Sequence, residues 1–402
     1  MNEQRKHRIV VLGAGYAGAW TAGTLARRLS PKDVEITVVN AEPDFVQRMR
    51  LHQLAVGQDV AAPKLTEVFA GTGITVRVAR VVEVDPDRRT IAVADSDGGA
   101  EVAYDTLVYA LGSSGDSRVA GAGAHAFDIA SRPSALRLRG RLDQLSESGR
   151  GGDVVVVGDG LTGIETAAEI AESRPELAVT LVARGELGSR LSAGARRHLR
   201  QAYERLGVTV VEHAEVESVE AGRVLCADGT VLAADATVWT AGFAVNPIAA
   251  ASGLEVTEAG QIVVDRMMRS ISHPDVYAIG DSVHAIGDNG RPLPMSCASA
   301  GHTGRQAVEA IVGELTGRAV PTTKLAYAGN HISLGRKDAI LQMVDDQGRA
   351  KPKHVDGGRA VRFKAAILAG SLWATSHPTF CLPRRRFRVT TSPSPARERV
   401  AA

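Results

Sequence analysis

Six glycines in two matching groups are the residues best placed to do chemistry. Gly13, Gly15 and Gly18 stand as Gly-x-Gly-x-x-Gly, and Gly158, Gly160 and Gly163 repeat that spacing. In each group the first glycine permits a tight strand-to-helix turn. The second lets a pyrophosphate approach the backbone, and the third lets helix and strand pack closely. The helix that follows offers free N–H groups and the positive end of its dipole to the phosphates. The chemistry on offer is the holding of a dinucleotide, twice in one chain. Tyr16 and Ala17 belong to the first cradle, Leu161 and Thr162 to the second.

Other candidates stand apart from the glycines. Asn40, followed by Ala41 and Glu42, ends the strand about 20 residues past the first loop, where an adenosine ribose is usually met by a carboxylate. Asn40 can hydrogen-bond a hydroxyl or simply form a turn. At the matching place after the second loop stand Ala183 and Arg184. Arg184 suits a 2′-phosphate or is an exposed surface charge; it leans towards NADPH, while Gly163 pulls towards NADH. Arg48, Arg50 and His52 punctuate an apolar stretch and face either solvent or an anionic ligand. The three cysteines, Cys226, Cys297 and Cys381, lie far apart with no C-x-x-C, which excludes a local redox dithiol and argues against a metal site. Cys226 reads as core, and Cys297 is a minor candidate for reactivity.

The elements that must position these residues are legible from apolar runs. Ile9–Leu12 reads as a buried strand feeding the first loop, and Val34–Val39 as its neighbour. Phe45–Ala55 has helical spacing. Ile74–Val78, Val81–Val84 and Thr90–Val93 read as a β-meander. Thr106–Leu111 is an apolar run ending on Gly112. The pattern restarts with Asp153–Val157, a loop, a helix through Ala167 and Ile170, and a strand Ala178–Val182. A second strand cluster covers Val208–Val211, Val216–Val219 and Arg223–Cys226, and Ala236–Ala241 ends on Gly242. Asp281 follows Gly280 at another strand end, and Pro294–Gly304 leads into a helix. In the tail, His331–Leu334, Ala339–Val344 and Ala360–Phe363 read as strands. Ala365–Trp373 is a short apolar segment, and Thr390 to Ala402 is polar and Pro-rich, hence expected to be disordered.

The 402 residues allow two or three domains, and 44% hydrophobic with 23% charged residues is ordinary for a globular chain. A net charge of +2 gives no nucleic-acid bias. No apolar signal region precedes the first strand and no apolar run reaches spanning length, so the expected location is cytoplasmic.

The order of these motifs resembles the two-dinucleotide flavoprotein superfamily that includes glutathione reductase, and within it the type II NADH:quinone oxidoreductases and their relatives, up to about Phe363. The resemblance implies an α/β protein with two Rossmann-like dinucleotide-binding domains and a C-terminal α+β region. It implies an FAD domain at 7–115 and 245–318, an NAD(P)H domain at 116–244, a C-terminal domain at 319–388 and a tail at 389–402. Gly13, Gly15 and Gly18 would cradle FAD, with Asn40, Ala41, Arg48, Ala110, Gly112, Gly280 and Asp281 around it and Asp281 on the ribityl chain. Gly158, Gly160 and Gly163 would hold NAD(P)H, and Gly242 would end the second linking strand. Glu165 would lie near the nicotinamide–flavin contact. The helix from Ser296, carrying Ala298, would point its N-terminus at the flavin.

Departures bear on the acceptor. The redox C-x-x-C of the disulfide reductases is missing, which removes that route. Where the quinone reductases carry glutamines after Asp281, this chain has Ala298, His302 and Thr303. His302 is the expected proton donor to a reduced acceptor or, on the plainer reading, a satisfied polar residue. Three activities stay open: transfer of hydride from NAD(P)H through FAD to a quinone or quinone-like acceptor; a soluble reductase serving another small molecule or a redox partner protein; and a slow-turnover redox sensor. Partner expectations are a small-molecule acceptor, a homodimer, and peripheral membrane contact through 365–388. For the last, Ala365–Trp373 with Arg384–Arg388 would form a surface anchor, while the shortness of the stretch favours a helix packed on its own domain or on a partner subunit.

Overall fold

The computed structural model describes residues 5–96, 98–116, 118–377 and 386–390. Ten helices stand among them: α1 (Tyr16–Arg28), α2 (Leu51–Ala55), α3 (Leu65–Val68), α4 (Ala122–His125), α5 (Arg132–Glu147), α6 (Leu161–Ser173), α7 (Ala193–Leu206), α8 (Ile248–Ala251), α9 (Cys297–Thr316) and α10 (Gly357–Ser376).

The apolar runs become two five-stranded sheets, each wholly parallel. In the first, His7–Leu12 lies between Thr106–Tyr109 and Val34–Asn40, with Val276–Ala278 and Ile74–Val78 at the edges. In the second, Asp153–Val157 lies between Ala236–Trp239 and Ala178–Val182, with Ala126–Asp128 and Thr209–Val211 outside. Strands covered on both faces need no polar alternation, so Ile9–Leu12 and Val154–Val157 are buried throughout. Register decides where the chemistry collects. Leu12 pairs with Val39 and Tyr109, and Tyr109 with Ala278. The loops that follow these strands, at Gly13, Asn40, Gly112 and Gly280, therefore emerge along one carboxyl edge, where ligands of open α/β sheets bind. The second sheet repeats this with Val157 beside Val182 and Trp239.

Several expected elements fall elsewhere. Ile74–Val78 is an edge strand of the first parallel sheet, not part of a meander, and Thr209–Val211 takes the same place in the second. Two three-stranded antiparallel sheets stand beside these, Arg80–Asp85, Thr90–Asp95, Gly98–Ala103 and Val216–Glu220, Arg223–Cys226, Val231–Ala233. A short apolar run carries no information on strand direction, which explains both misplacements. Helical structure in Phe45–Ala55 is confined to a 3-10 turn at Arg48–Arg50 and to α2. The third strand of the C-terminal sheet is Ala350–Asp356, beside Ala339–Val344, whose other neighbour is Gly329–Ser333. Ala360–Phe363, expected as strand, is helical: Gly357, at φ +60°, turns the chain from strand into α10, which absorbs the whole apolar segment.

Helix α10 packs across the C-terminal sheet and reaches α1. It exposes Phe363 (48%) and Trp373 (45%) and buries Ala360, Lys364 and Thr375. The expected basic half of an anchor is differently engaged. Arg388 pairs with Asp33 at 2.7 Å, and Phe387 lies under the Arg318 guanidinium. Val389 and Thr390, placed in the disordered tail from sequence, donate backbone N–H bonds to Asp33 and Leu315. Cys381, Arg384, Arg385 and 391–402 lie outside the described residues. Among the described residues no helix is long and apolar enough to cross a membrane.

Candidate functional site

The first glycine loop is built as its spacing requires. Gly13 holds φ +92°, and a side chain there would overlap the Ala110 carbonyl. A side chain at Gly18 would run into the carbonyl of Gly13. At Gly15 the surroundings are open, with nothing within 4 Å of an added Cβ. Gly15 is also the N-cap of α1 and supplies no side-chain acceptor, so the first N–H groups of the helix stay available to a ligand. Asn40 braces this loop: its Oδ1 accepts from the Ala14 N–H at 2.9 Å, and its Nδ2 donates to the Glu42 carbonyl at 2.7 Å. Ala41 follows on the exposed side.

The second loop repeats the device. Gly158 holds φ +112°, and Gly163 is pressed against the Gly158 carbonyl and Thr240 Oγ1. Gly160 caps α6 without a side-chain bond and faces open space. Leu161 and Thr162 open α6, and Arg184 is exposed past the end of Ala178–Val182. Both loops thus combine an open glycine with an uncapped helix start, which is the shape and polarity a dinucleotide pyrophosphate needs.

Between the loops a polar knot ties the two linking turns to Asp281. Ser113 Oγ donates to Asp281 Oδ2 at 2.7 Å. Arg48 folds inward, donating to the Ser113 carbonyl and to Ser113 Oγ, and its guanidinium lies 4.0 Å from Asp281 and 5.6 Å from the centre of the Phe243 ring. Ser282 Oγ donates to the Gly112 carbonyl at 3.2 Å, and the Gly280 N–H donates to Thr303 Oγ1 at 3.1 Å. Gly112, Gly242 and Gly280 all take positive φ, between +69° and +80°. Arg48 is therefore not a solvated face; it is bonded to Ser113 beside the acid.

A cavity of about 360 Å³ opens beside this knot, where α1, α9 and α10 converge. Tyr16, Ala17 and Trp20 form one wall, Met49 another, and Cys297, Ala298 and His302 a third, with Ser371 and Thr375 of α10 closing the end. Ser296 caps α9 through its hydroxyl, which accepts from the Ser299 N–H at 3.2 Å. Burial lowers the His302 pKa, so its imidazole is neutral near pH 7. Cys297, at the first position of α9, is exposed and carries a free thiol.

Glu165 lies elsewhere than His302. One turn into α6, it is buried, accepts the Ser333 N–H at 2.9 Å and receives the ammonium of Lys364. Lys364 Nζ also reaches the His331 carbonyl at 3.2 Å. Burial opposes the charged form of Lys364 and lowers its pKa, while the Glu165 carboxylate in contact with it favours the ammonium. Lys364 is the site residue that sequence reading passes over. The available signal was a lone lysine directly before the apolar run Ala365–Trp373. Between cavity and pair lies the segment Arg48–Ala55, whose His52 is wholly buried, with Nε2 unpartnered. Burial, aided by the charges of Lys364 and Arg50, pulls the His52 pKa down to about 3.

Comparison with known proteins adds four findings. The chain matches the family described as pyridine nucleotide-disulphide oxidoreductase over residues 7–304. It is 30% identical over 358 residues to an NADH dehydrogenase-like protein of Mycobacterium tuberculosis, covering 83% of this chain and 87% of that protein. It is 25% identical over 347 residues to a demethylphylloquinone reductase of Synechocystis, covering 83% and 86%. Among solved structures, NDH2 of Plasmodium falciparum in complex with NADH superposes with a TM-score of 0.79 at 15% identity, over 94% of this chain and 97% of that one.

Proposed function

The chain belongs to the pyridine nucleotide-disulphide oxidoreductase family, and on that premise we propose that its two-electron acceptor is a quinone received in the cavity between α1, α9 and α10. It is an FAD-dependent oxidoreductase of NAD(P)H. The residues present fit both groups, since each glycine loop leaves an open position before an uncapped helix. When bound, the flavin supplies the passage of a hydride's two electrons from nicotinamide to acceptor.

The chain's own residues do the rest. Residues 7–115 with 245–318 hold FAD, 116–244 hold NAD(P)H, and 319–388 cover the acceptor side. Gly13, Gly15 and Gly18 seat one pyrophosphate, and Gly158, Gly160 and Gly163 the other. Ser113 and Arg48 fix the Asp281 carboxylate through one oxygen, and the other would be free to accept from a hydroxyl of FAD. The start of α9 would offer the positive end of its dipole to the flavin. Glu165 and Lys364 form a buried pair one turn from the second loop.

The observation that carries the reading is the cavity wall. Tyr16, Trp20 and Met49 offer a flat apolar slot, and His302, Arg305, Ser371 and Thr375 offer polar groups at its wall, which suits a flat conjugated dione. The demethylphylloquinone reductase of Synechocystis supports it. The test is NAD(P)H oxidation by the flavin-loaded protein with menadione, ferricyanide and oxygen in parallel. Menadione turnover well above oxygen turnover is expected. Turnover confined to ferricyanide would move the acceptor to a redox partner, and none with any acceptor would leave a sensor.

A further inference from the structure

The wall of the acceptor cavity carries positive charge and no negative charge. Among the described residues none of the groups lining it is an acid, and Arg305 stands on it one turn beyond His302 on α9. Burial keeps the His302 imidazole neutral, which makes Arg305 the full charge on this wall. Arg305 is exposed, and its guanidinium has no ion-pair or hydrogen-bond partner among the described residues. The neighbouring acids are engaged elsewhere. Glu309, one turn further along α9 at the spacing that pairs helix side chains, is bound to Arg28 of α1 instead. Asp288, whose charge reaches His302, is held by Arg266 at 2.7 Å and by the Leu325 N–H at 3.1 Å. Lys324 adds a second positive charge near His302. A concave site lined by one sign of charge draws ligands of the other.

We propose that the acceptor is an anionic quinone, a flat dione ring bearing a carboxylate or a like anion, and that Arg305 receives the anionic group and sets acceptor choice. The inference rests on the quinone reading above and names the class of quinone. Spacing along α9 gives the acceptor its length. Ala298 and Arg305 line the same cavity two turns apart, about 10 Å along the helix axis. Trp20 of α1 lies against α9 beside Arg305, its ring 3.7 Å from where a Cβ on Gly304 would stand. A molecule of that length lays its ring on Trp20, sets the dione at the start of α9 and brings its anion to Arg305. A guanidinium meets a carboxylate or sulfonate with paired N–H bonds, which gives direction as well as attraction. The reaction keeps its balance, NAD(P)H + H⁺ + quinone → NAD(P)⁺ + hydroquinone, with the anionic group untouched. Because Arg305 is open to water, its effect falls on the choice between acceptors and on their KM.

The experiment follows NAD(P)H oxidation by the flavin-loaded full chain with two acceptors of one ring system, menadione and naphthoquinone sulfonate. The parent is compared with Arg305→Met, which keeps the apolar stem and removes the charge, and Arg305→Lys, which keeps the charge. The ratio of kcat/KM for the sulfonate to that for menadione is expected to fall about tenfold in Arg305→Met, through KM. Arg305→Lys should restore part of it. Raising the ionic strength should lower the same ratio in the parent and hardly move it in Arg305→Met. Calorimetric titration with naphthalene sulfonate, which accepts no electrons, reads binding without turnover, and its Kd should rise about tenfold in Arg305→Met. A ratio and a Kd that stay put in Arg305→Met, while menadione is reduced, overturn the anionic assignment and leave the quinone reading standing. A parent that reduces ferricyanide but neither quinone overturns the quinone reading and this inference with it.

Discussion

Lys364 on α10 donates to Glu165 on α6, joining residues 199 apart in the chain. The contact fastens the C-terminal sheet and its helix onto the second glycine-loop helix. A lysine and a glutamate withdrawn from water are each costly alone. The pair persists because the Ser333 N–H and the His331 carbonyl take up further bonding positions.

Removing one partner should therefore harm more than removing both. Lys364→Met leaves a buried carboxylate unmatched and should cost about 3–5 kcal/mol in denaturant unfolding of the flavin-loaded protein. Lys364→Met combined with Glu165→Gln should recover most of that stability while menadione turnover stays low. A double variant no more stable than the single would mean that the two charges are not matched to each other.

Gly15 separates folding from cofactor binding. A methyl there meets nothing in the protein within 4 Å, whereas one at Gly18 meets the Gly13 carbonyl. Gly15→Ala should keep its apoprotein fold by circular dichroism yet purify with little flavin. Gly18→Ala should lose both. A full flavin complement in Gly15→Ala would place the pyrophosphate elsewhere.

Arg184 is exposed at the carboxyl edge of the second sheet, with Ala183 before it in place of an acid. Arg184→Ala should raise the Kd for NADPH about tenfold, by losing a charge-assisted phosphate contact, and should barely change NADH. Rapid-mixing flavin reduction with each nucleotide reads this directly. Equal loss for both would dismiss a 2′-phosphate role.

Both glycine loops, their parallel strands and the acid at 281 were legible because each rests on local spacing. Gly13 and Gly158 need positive φ wherever they occur in such a turn, and sequence alone reports it. Strand partners are not local, which is why Ile74–Val78 was misplaced. Asn40 was read as a ribose partner or a turn former; its amide is engaged with Ala14 and Glu42, a bond that depends on the strand Val34–Asn40 lying beside Gly13. Lys364 was invisible for the same reason: the acid that it meets, Glu165, stands 199 residues away in the chain.

His52 gives the pH dependence its sign. Its pKa is about 3 in the fold against 6.5 when unfolded, because burial, with Lys364 and Arg50 nearby, opposes the charged ring. Between those values the unfolded chain binds the extra proton. The stability it contributes is fully present above pH 6.5 and is lost as pH falls towards 3. The slope approaches about 1.4 kcal/mol per pH unit for one proton. Unfolding free energies from pH 7.5 to 4.5 should show this decline in the parent. His52→Gln, neutral at every pH, should remove about one proton's worth of the slope while unfolding more easily at pH 7. An unchanged slope in that variant would mean that other groups, not His52, take up the proton on unfolding.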